Sequence, residues 1–403
     1  MRVMKKSDAR GRLPEIAVAG FAILLVGCAL AVNQAWFDRH FLPIFAFARP
    51  RMVSAERALR ATIFLAGALL LLARRPVARA LVWAGAAGML RALLAVLLAL
   101  GTAELALRLH PLYPHDADPL GLEPRRVPDA RLGWRYLPSR SVIAREAGRA
   151  VAYSFDDASI RVSGPGAKID RARPTLIFTG ESIITGFGLD WDQTIPARVG
   201  ASLGLQSANL AATDYSNDQS YLRLAAELPR FQKPVAVLTL FMPSLLERNL
   251  LDNRPHLGPG LVWQPPHQPW RLAALLHWLV PWHSMAAITL GIAHTHDSLN
   301  ALVRLACARG AEPLIIVPQF GEATAVEDDL RRRVLGGLPV VLVRLDPEWH
   351  LRGDPHPDAR GARAIAAAVA ARLMRDGASA SGTQRRTGCS ATDLNRHGDI
   401  RPD

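Results

Sequence analysis

Residues 175–188 read TLIFTGESIITGFG. A run of apolar and β-branched residues enters a turn carrying Gly180, Glu181 and Ser182, and a helical pattern follows. A strand that feeds a helix through such a turn lifts a hydroxyl out at the carboxyl edge of a parallel sheet, where binding groups of α/β folds gather. The chain then continues in the same alternation. A helix around 195–203 precedes the strand QSANLA (206–211), a helix at 220–228 precedes VAVLTLF (235–241), and a helix at 299–309 precedes PLIIVP (313–318). The strand VVLVRL (340–345) and an alanine-rich helix at 361–375 complete it. Strands alternating with helices predict a parallel sheet covered on both faces.

Three segments fall at predicted strand ends: Gly180-Glu181-Ser182, SANLAATDYSNDQ (207–219) and GDPHPDARGARAIA (353–366). A serine hydroxyl becomes a competent nucleophile when an imidazole oriented by a carboxylate takes its proton. His356, with Asp354 two residues before it, supplies such a pair from one loop. Glu181 reads as a structural hydrogen-bonding residue, Asn209 as a strand-end turn residue, and Asp218 and Gln219 as anchors of the following helix.

At these residues the chain resembles the SGNH (GDSL-like) hydrolase superfamily over about 173–375. Gly-Glu-Ser after the first strand, its continuation ITGFGLDWDQTIPARVGASLG, and the final DPHPDARG block are similar to that family's. The lead-in DARLGWRYLPS is similar to the segment preceding the domain in membrane-bound members. The resemblance implies a three-layer α/β/α fold with a parallel sheet, of the SGNH or flavodoxin-like kind, and a Ser–His–Asp triad acting on oxygen esters. It implies Ser182 as nucleophile, His356 as base and Asp354 as orienting acid, with the Ser182 backbone N–H as one oxyanion donor. The family's other donors are a backbone N–H after the second strand, near Ala211 or Ala212 here, and an Asn of Gly-x-Asn-Asp after the third. That block is absent from MPSLLERN, where Ser244 or Asn249 are the substitutes. The family's two residues between Asp and His are reduced to Pro355, with Gly353 at the customary acid position.

Upstream, residues 16–36 carry no charge, and about 20 apolar residues suffice to cross a ~30 Å hydrocarbon core. A second apolar run, 61–73, is short, and a third, 80–107, contains Arg91 and Glu104. Two to three transmembrane helices are expected within 1–110. Basic residues in the leader and at Arg74, Arg75 and Arg79 read as cytoplasmic, so three spans put the C-terminal domain outside and two keep it inside. Residues 111–172 read as a β-containing prelude or spacer, 173–376 as the catalytic domain with a Trp-bearing insertion at about 249–298, and 377–403 as a disordered tail. The insertion's Trp263, Trp270, Trp278 and Trp282 fit a sugar or acyl site, a membrane interface or a packed lid equally.

The net charge of +13 is scattered, which argues against nucleic acid. Three distant cysteines predict neither a zinc site nor a disulfide framework, and His294 and His296 lack a local ligand partner. The expected function is a membrane-anchored serine esterase without cofactor or metal, its domain on the periplasmic side of the inner membrane, its partners an acyl ester and membrane lipid. An O-acyltransferase acting on an envelope polysaccharide and a catalytically decayed binding domain are the alternatives.

Overall fold

In the computed structural model, residues 7–43, 49–109, 123–267, 270–279, 282–377 and 389 are described. The tail expected to be disordered lies outside them except for Gly377 and Cys389, as does the start of the prelude. The chain divides into two units, residues 1–113 with 269–288, and 114–268 with 289–403.

The first unit holds α1 (Ser7–Ala31), α2 (Arg49–Leu72) and α3 (Arg74–Leu109). Among the described residues two stretches, Arg12–Ala31 and Arg74–Leu109, are long and apolar enough to cross a membrane. Arg74, Arg75 and Arg79, read as cytoplasmic, lie in the first turns of α3, and only Ala73 separates α2 from α3. Gly67 lets α2 approach α1, since a Cβ there would stand 2.9 Å from Val26 and 3.0 Å from the Ala22 carbonyl. Glu104 has a partner for its charge: it accepts N–H bonds from Arg271 (3.0 Å) and Leu272 (2.9 Å) and pairs with Arg108 at 2.7 Å. Arg91 is exposed on α3.

The second unit opens with two antiparallel hairpins, β1 (Arg126–Asp129) with β2 (Gly133–Tyr136) and β3 (Ser141–Glu146) with β4 (Arg149–Ser154). There follow β5 (Thr175–Thr179), α4 (Ser182–Thr185), α5 (Ile195–Leu203), β6 (Gln206–Asn209), α6 (Asn217–Glu227), β7 (Pro234–Leu240) and α7 (Pro243–Arg248). After the insertion come α8 (Met285–Ala308), β8 (Glu312–Phe320), α9 (Ala325–Leu335), β9 (Val340–Leu345) and α10 (Ala359–Arg375). The five parallel strands lie in the order β9-β8-β7-β5-β6. Counted from β5 this is 2-1-3-4-5, which leaves a topological switch point between β5 and β7.

Side chains alternate across the sheet with period two. Leu176, Phe178, Leu238, Leu240, Leu314 and Ile316 share one buried cluster with Val199 of α5 and Ile365 and Val369 of α10. On the opposite face Thr179 donates to the Ser220 carbonyl of α6 at 3.2 Å. The segment read as a spacer builds a second buried cluster against the domain. Leu132, Tyr136, Val151, Tyr153 and Phe155 of the hairpins pack with Ala212, Tyr215 and Leu222. Arg161 forms an antiparallel bridge with Asn209, covering the edge strand β6. The insertion is also shorter than read, because α8 starts at Met285. In it Trp263 donates to the Arg131 carbonyl at 3.1 Å and Trp270 is exposed, while the Trp278 and Trp282 side chains lie outside the described residues.

Cysteine spacing predicts no disulfide, yet Cys307 of α8 and Cys389 form one across 82 residues, with Cα atoms 5.7 Å apart. A pair so distant leaves no local spacing to read. Closing a loop of that length stabilises the folded chain by about 2–5 kcal/mol. Reductant, or Cys307→Ser, should therefore lower the thermal midpoint of the solubilised protein. An unchanged midpoint, with three titratable thiols in the denatured non-reduced chain, would refute the bond.

Candidate active site

All five residues of β5 are buried, and the chain leaves the strand through Gly180, whose φ of +145° and whose closeness to Ile184 and Leu240 leave little space for a side chain. Glu181 caps α4, its carboxylate accepting the Ile183 N–H at 3.2 Å. Ser182 thus starts a single helical turn, which Gly186 ends in the left-handed region. A Cβ on Gly186 would stand 2.4 Å from Thr194 Cγ2.

The second element is the loop between β9 and α10. Gly353 takes a φ of +74° and Asp358 caps α10 through the Arg360 and Gly361 N–H groups. Asp354 Oδ1 accepts the His356 backbone N–H at 2.9 Å and lies 2.5 Å from Nδ1 of the same residue. The carboxylate folds back over the proline and reaches the ring, so the shortened Asp-Pro-His spacing accommodates the contact. His356 Nε2 stands 2.7 Å from Ser182 Oγ, joining residues 174 apart in sequence. With Nδ1–H directed at an ionised carboxylate, Nε2 is the nitrogen that exchanges a proton with the serine. The hydrogen bond from His356 holds the Asp354 carboxyl below its usual range, against the effect of burial. Phe187 stacks on the imidazole with centroids 4.4 Å apart. Ser182 is only 2% exposed, whereas the His356 side chain is 23% exposed.

Of the residues read as oxyanion donors, Ser182 has a backbone N–H with no acceptor among the described residues. The Ala211 N–H is engaged by Asn209 Oδ1 at 3.2 Å, and the Ala212 N–H by the Gly180 carbonyl at 3.3 Å. Ser244 sits half-buried in the first turn of α7. Asn249 is corrected: its amide donates to Thr295 Oγ1 (2.7 Å) and Asn217 Oδ1 (3.3 Å), and its carbonyl accepts the Asn217 N–H (2.8 Å). It ties α6 to α8 and has no hydrogen left for an oxyanion. Asn209 joins β6 to α4 by donating to the Ile184 carbonyl at 2.8 Å. Gln219 completes the Ser216 capping box of α6, and Asp218 accepts the Leu257 N–H at 3.0 Å. His294 lies 3.8 Å from Asp218 and His296 bonds the Val334 carbonyl, so the two rings serve different partners.

Sequence reasoning missed the support beneath the serine. Arg161, fully buried, donates to the carbonyls of Thr185 (2.6 Å), Gly186 (2.9 Å), Leu189 (2.7 Å) and Ala152 (3.2 Å). Its guanidinium lies 4.1 Å from the Tyr153 ring centroid. Glu146, at the end of β3, accepts the Gly188 N–H at 2.8 Å and the Tyr153 hydroxyl. Burial pushes the Glu146 carboxyl up, with these hydrogen bonds and the Arg161 charge opposing. Glu181 also bears on the serine: it accepts the Ser182 hydroxyl and pairs with Arg248 at 3.0 Å.

No family model matches the chain, and no curated protein matches it. Among solved structures it is similar to a lipolytic protein of the G-D-S-L family from Desulfitobacterium hafniense, at 12% identity over 49% of this chain and 98% of that one, with a TM-score of 0.31. A GDSL-like lipase from Bacteroides ovatus aligns at 13% identity over 51% and 54% of the two chains, with a TM-score of 0.31. A salicylyl-acyltransferase from a tetracycline biosynthetic pathway aligns at 14% identity over 60% and 77%, with a TM-score of 0.30.

Arg161→Met should remove the guanidinium donors of four carbonyls, leaving those of Thr185 and Gly186 with longer bonds from Asn209 (3.4 Å) and the Leu189 N–H (3.1 Å), and cost about 3 kcal/mol of stability. Urea unfolding of the variant beside wild type measures this. A loss under about 1 kcal/mol would mean that water replaces the guanidinium.

Proposed function

We propose that the protein is a membrane-anchored serine acyl hydrolase of the SGNH type acting on oxygen esters. The observation that carries this reading is the continuous line from Asp354 through His356 to Ser182 Oγ, assembled from opposite ends of the α/β domain. Ser182 Oγ attacks the ester carbonyl while His356 Nε2 takes its proton and Asp354 holds the ring. His356 then protonates the departing alkoxide, leaving an acyl-serine. Water, activated by the same imidazole, returns the enzyme. A sugar hydroxyl in place of water would make the same intermediate an O-acyltransferase. The Ser182 N–H, free at the start of α4, is the first oxyanion donor, and the Ser244 hydroxyl is the candidate for a second.

The two apolar helices and the basic leader support anchoring in the cytoplasmic membrane. The Cys307–Cys389 disulfide favours the extracytoplasmic side for the domain, because such bonds persist in oxidising compartments, and with a cytoplasmic leader that side requires α2 to cross as a third span beside the two apolar helices. Aligned hydrogen bonds at all three triad positions favour a working site over a decayed binding domain.

The test is labelling of the detergent-solubilised protein with a fluorophosphonate probe, with p-nitrophenyl acetate turnover beside it. Ser182→Ala and His356→Ala should abolish labelling, and Asp354→Asn should slow it by about 10²–10⁴-fold. Wild-type protein that folds and stays unlabelled would sink the reading. Asp354 has its folded-state pKa depressed, so its stabilising contribution is present above its unfolded value of about 3.9 and is lost only as pH falls through the lower folded value. Above pH ~5 Asp354 should therefore stay ionised throughout and contribute no acid limb of its own to labelling.

A further inference from the structure

Helix capping accounts for only half of the Glu181 carboxylate. Oε1 accepts the Ile183 N–H, but Oε2 accepts the Ser182 hydroxyl and stands 3.0 Å from Arg248 Nη1. Arg248 is anchored in turn by Asp214 Oδ1 at 3.6 Å and the Tyr215 carbonyl at 3.4 Å. The serine hydroxyl has one proton and two acceptors, Glu181 Oε2 and His356 Nε2 at 2.7 Å. When the proton points to Glu181, Nε2 approaches Oγ favourably only by bringing its own proton, because two facing lone pairs repel.

We propose that Glu181, held by Arg248, is a positioning residue for Ser182: a second acceptor that keeps the hydroxyl proton in the resting site and favours the imidazolium form of His356. The inference rests on Ser182 being the nucleophile. The resting line then runs Asp354 to imidazolium Nδ1–H, Nε2–H to Oγ, and Oγ–H to Glu181. Activation is loss of the Nε2 proton to solvent, after which the hydroxyl rotates and donates to Nε2. On attack the Oγ–C bond forms, the carbonyl π pair moves to its oxygen, and the hydroxyl proton passes to Nε2.

The charged groups around His356 come from three other places as well as its own loop. Asp354 and His350 lie on the loop itself, Glu181 and Arg248 lie on the serine side, and Glu146 comes from β3. Among the described residues only Glu181 joins carboxylate to Oγ. Burial alone would raise its carboxyl, but the Arg248 charge and the Ser182 hydrogen bond outweigh burial and keep it ionised.

The experiment is the rate of fluorophosphonate labelling against pH for full-length, solubilised wild type, Glu181→Gln and Arg248→Gln. Glutamine keeps the cap on Ile183 but removes the charge, so the acid limb should move to lower pH by about one unit. Removing the Arg248 cation should move it to higher pH. A limb unmoved in Glu181→Gln, with the rate lowered equally at every pH, overturns the inference and leaves Glu181 as a cap alone. If thermal unfolding shows that Glu181→Gln does not fold, Arg248→Gln decides: an upward shift supports the inference and an unmoved limb overturns it. Wild type that never labels removes the nucleophile reading and this inference with it, a result distinct from a labelled wild type whose variants do not shift.

Discussion

The Arg161 guanidinium resolves a conflict built into the serine turn. A one-turn helix leaves its last carbonyls without intrahelical partners, and a turn lifted from a fully buried strand gives those carbonyls no water. Arg161 supplies a dense set of donors at that point and lays its guanidinium against the Tyr153 face, with the Glu146 carboxylate as a nearby countercharge. It also bridges to Asn209 on the edge strand, and Asn209 in turn holds the Ile184 carbonyl. Strand edge, hairpin and serine turn are thereby one hydrogen-bonded body. Residues 123–163 cannot be peeled away as a linker without exposing these groups.

The histidine loop is built on the opposite plan, exposed and locally closed. One carboxylate oxygen of Asp354 takes both the backbone N–H and the ring nitrogen of His356, which orients the imidazole without help from another element. Gly353 in the left-handed region and the Leu351–His356 backbone hydrogen bond of 2.8 Å shape that turn. With only Pro355 between them, Asp354 still reaches the ring because its carboxylate folds back over the proline.

The five sheet strands, the serine turn and the Asp-Pro-His loop were legible in the sequence because each is a local pattern: apolar runs, small turn residues and a helix cap at Asp358. The helix α9 was not, since AVEDDLRRRVL carries few apolar residues and rests on its Thr324 capping box and buried Leu330 and Val334. Arg161 was illegible for another reason. In SIRVS it alternates with Ile160 and Val162, which places a charged side chain on the solvent face by period alone. The segment bridges to Phe155 and Asn209 and both of its faces become interior, so tertiary packing overrides the pattern. Arg248 pairs with Glu181 across 67 residues and the disulfide spans 82, distances at which no spacing rule operates. Asn249 misled because an asparagine after the third strand fits an oxyanion donor by position, whereas its amide is consumed by Thr295 and Asn217.

From Asp354 to Asp214 the site is a row of groups in contact: carboxylate, imidazole, hydroxyl, carboxylate, guanidinium, carboxylate. Inside a protein such neighbours interact more strongly than in water, and no anion in the row lacks a donor. Ser182 lies in the middle of that row and is nearly inaccessible, while the imidazole and the Phe187 ring stand at its open side. On the proposed reading, any acceptor for an acyl group on Oγ would be deprotonated by His356, so water and a sugar hydroxyl would compete for the same position beside Nε2. Hydrolysis and transfer would then differ in what occupies that position, with the Asp354–His356–Ser182 geometry common to both.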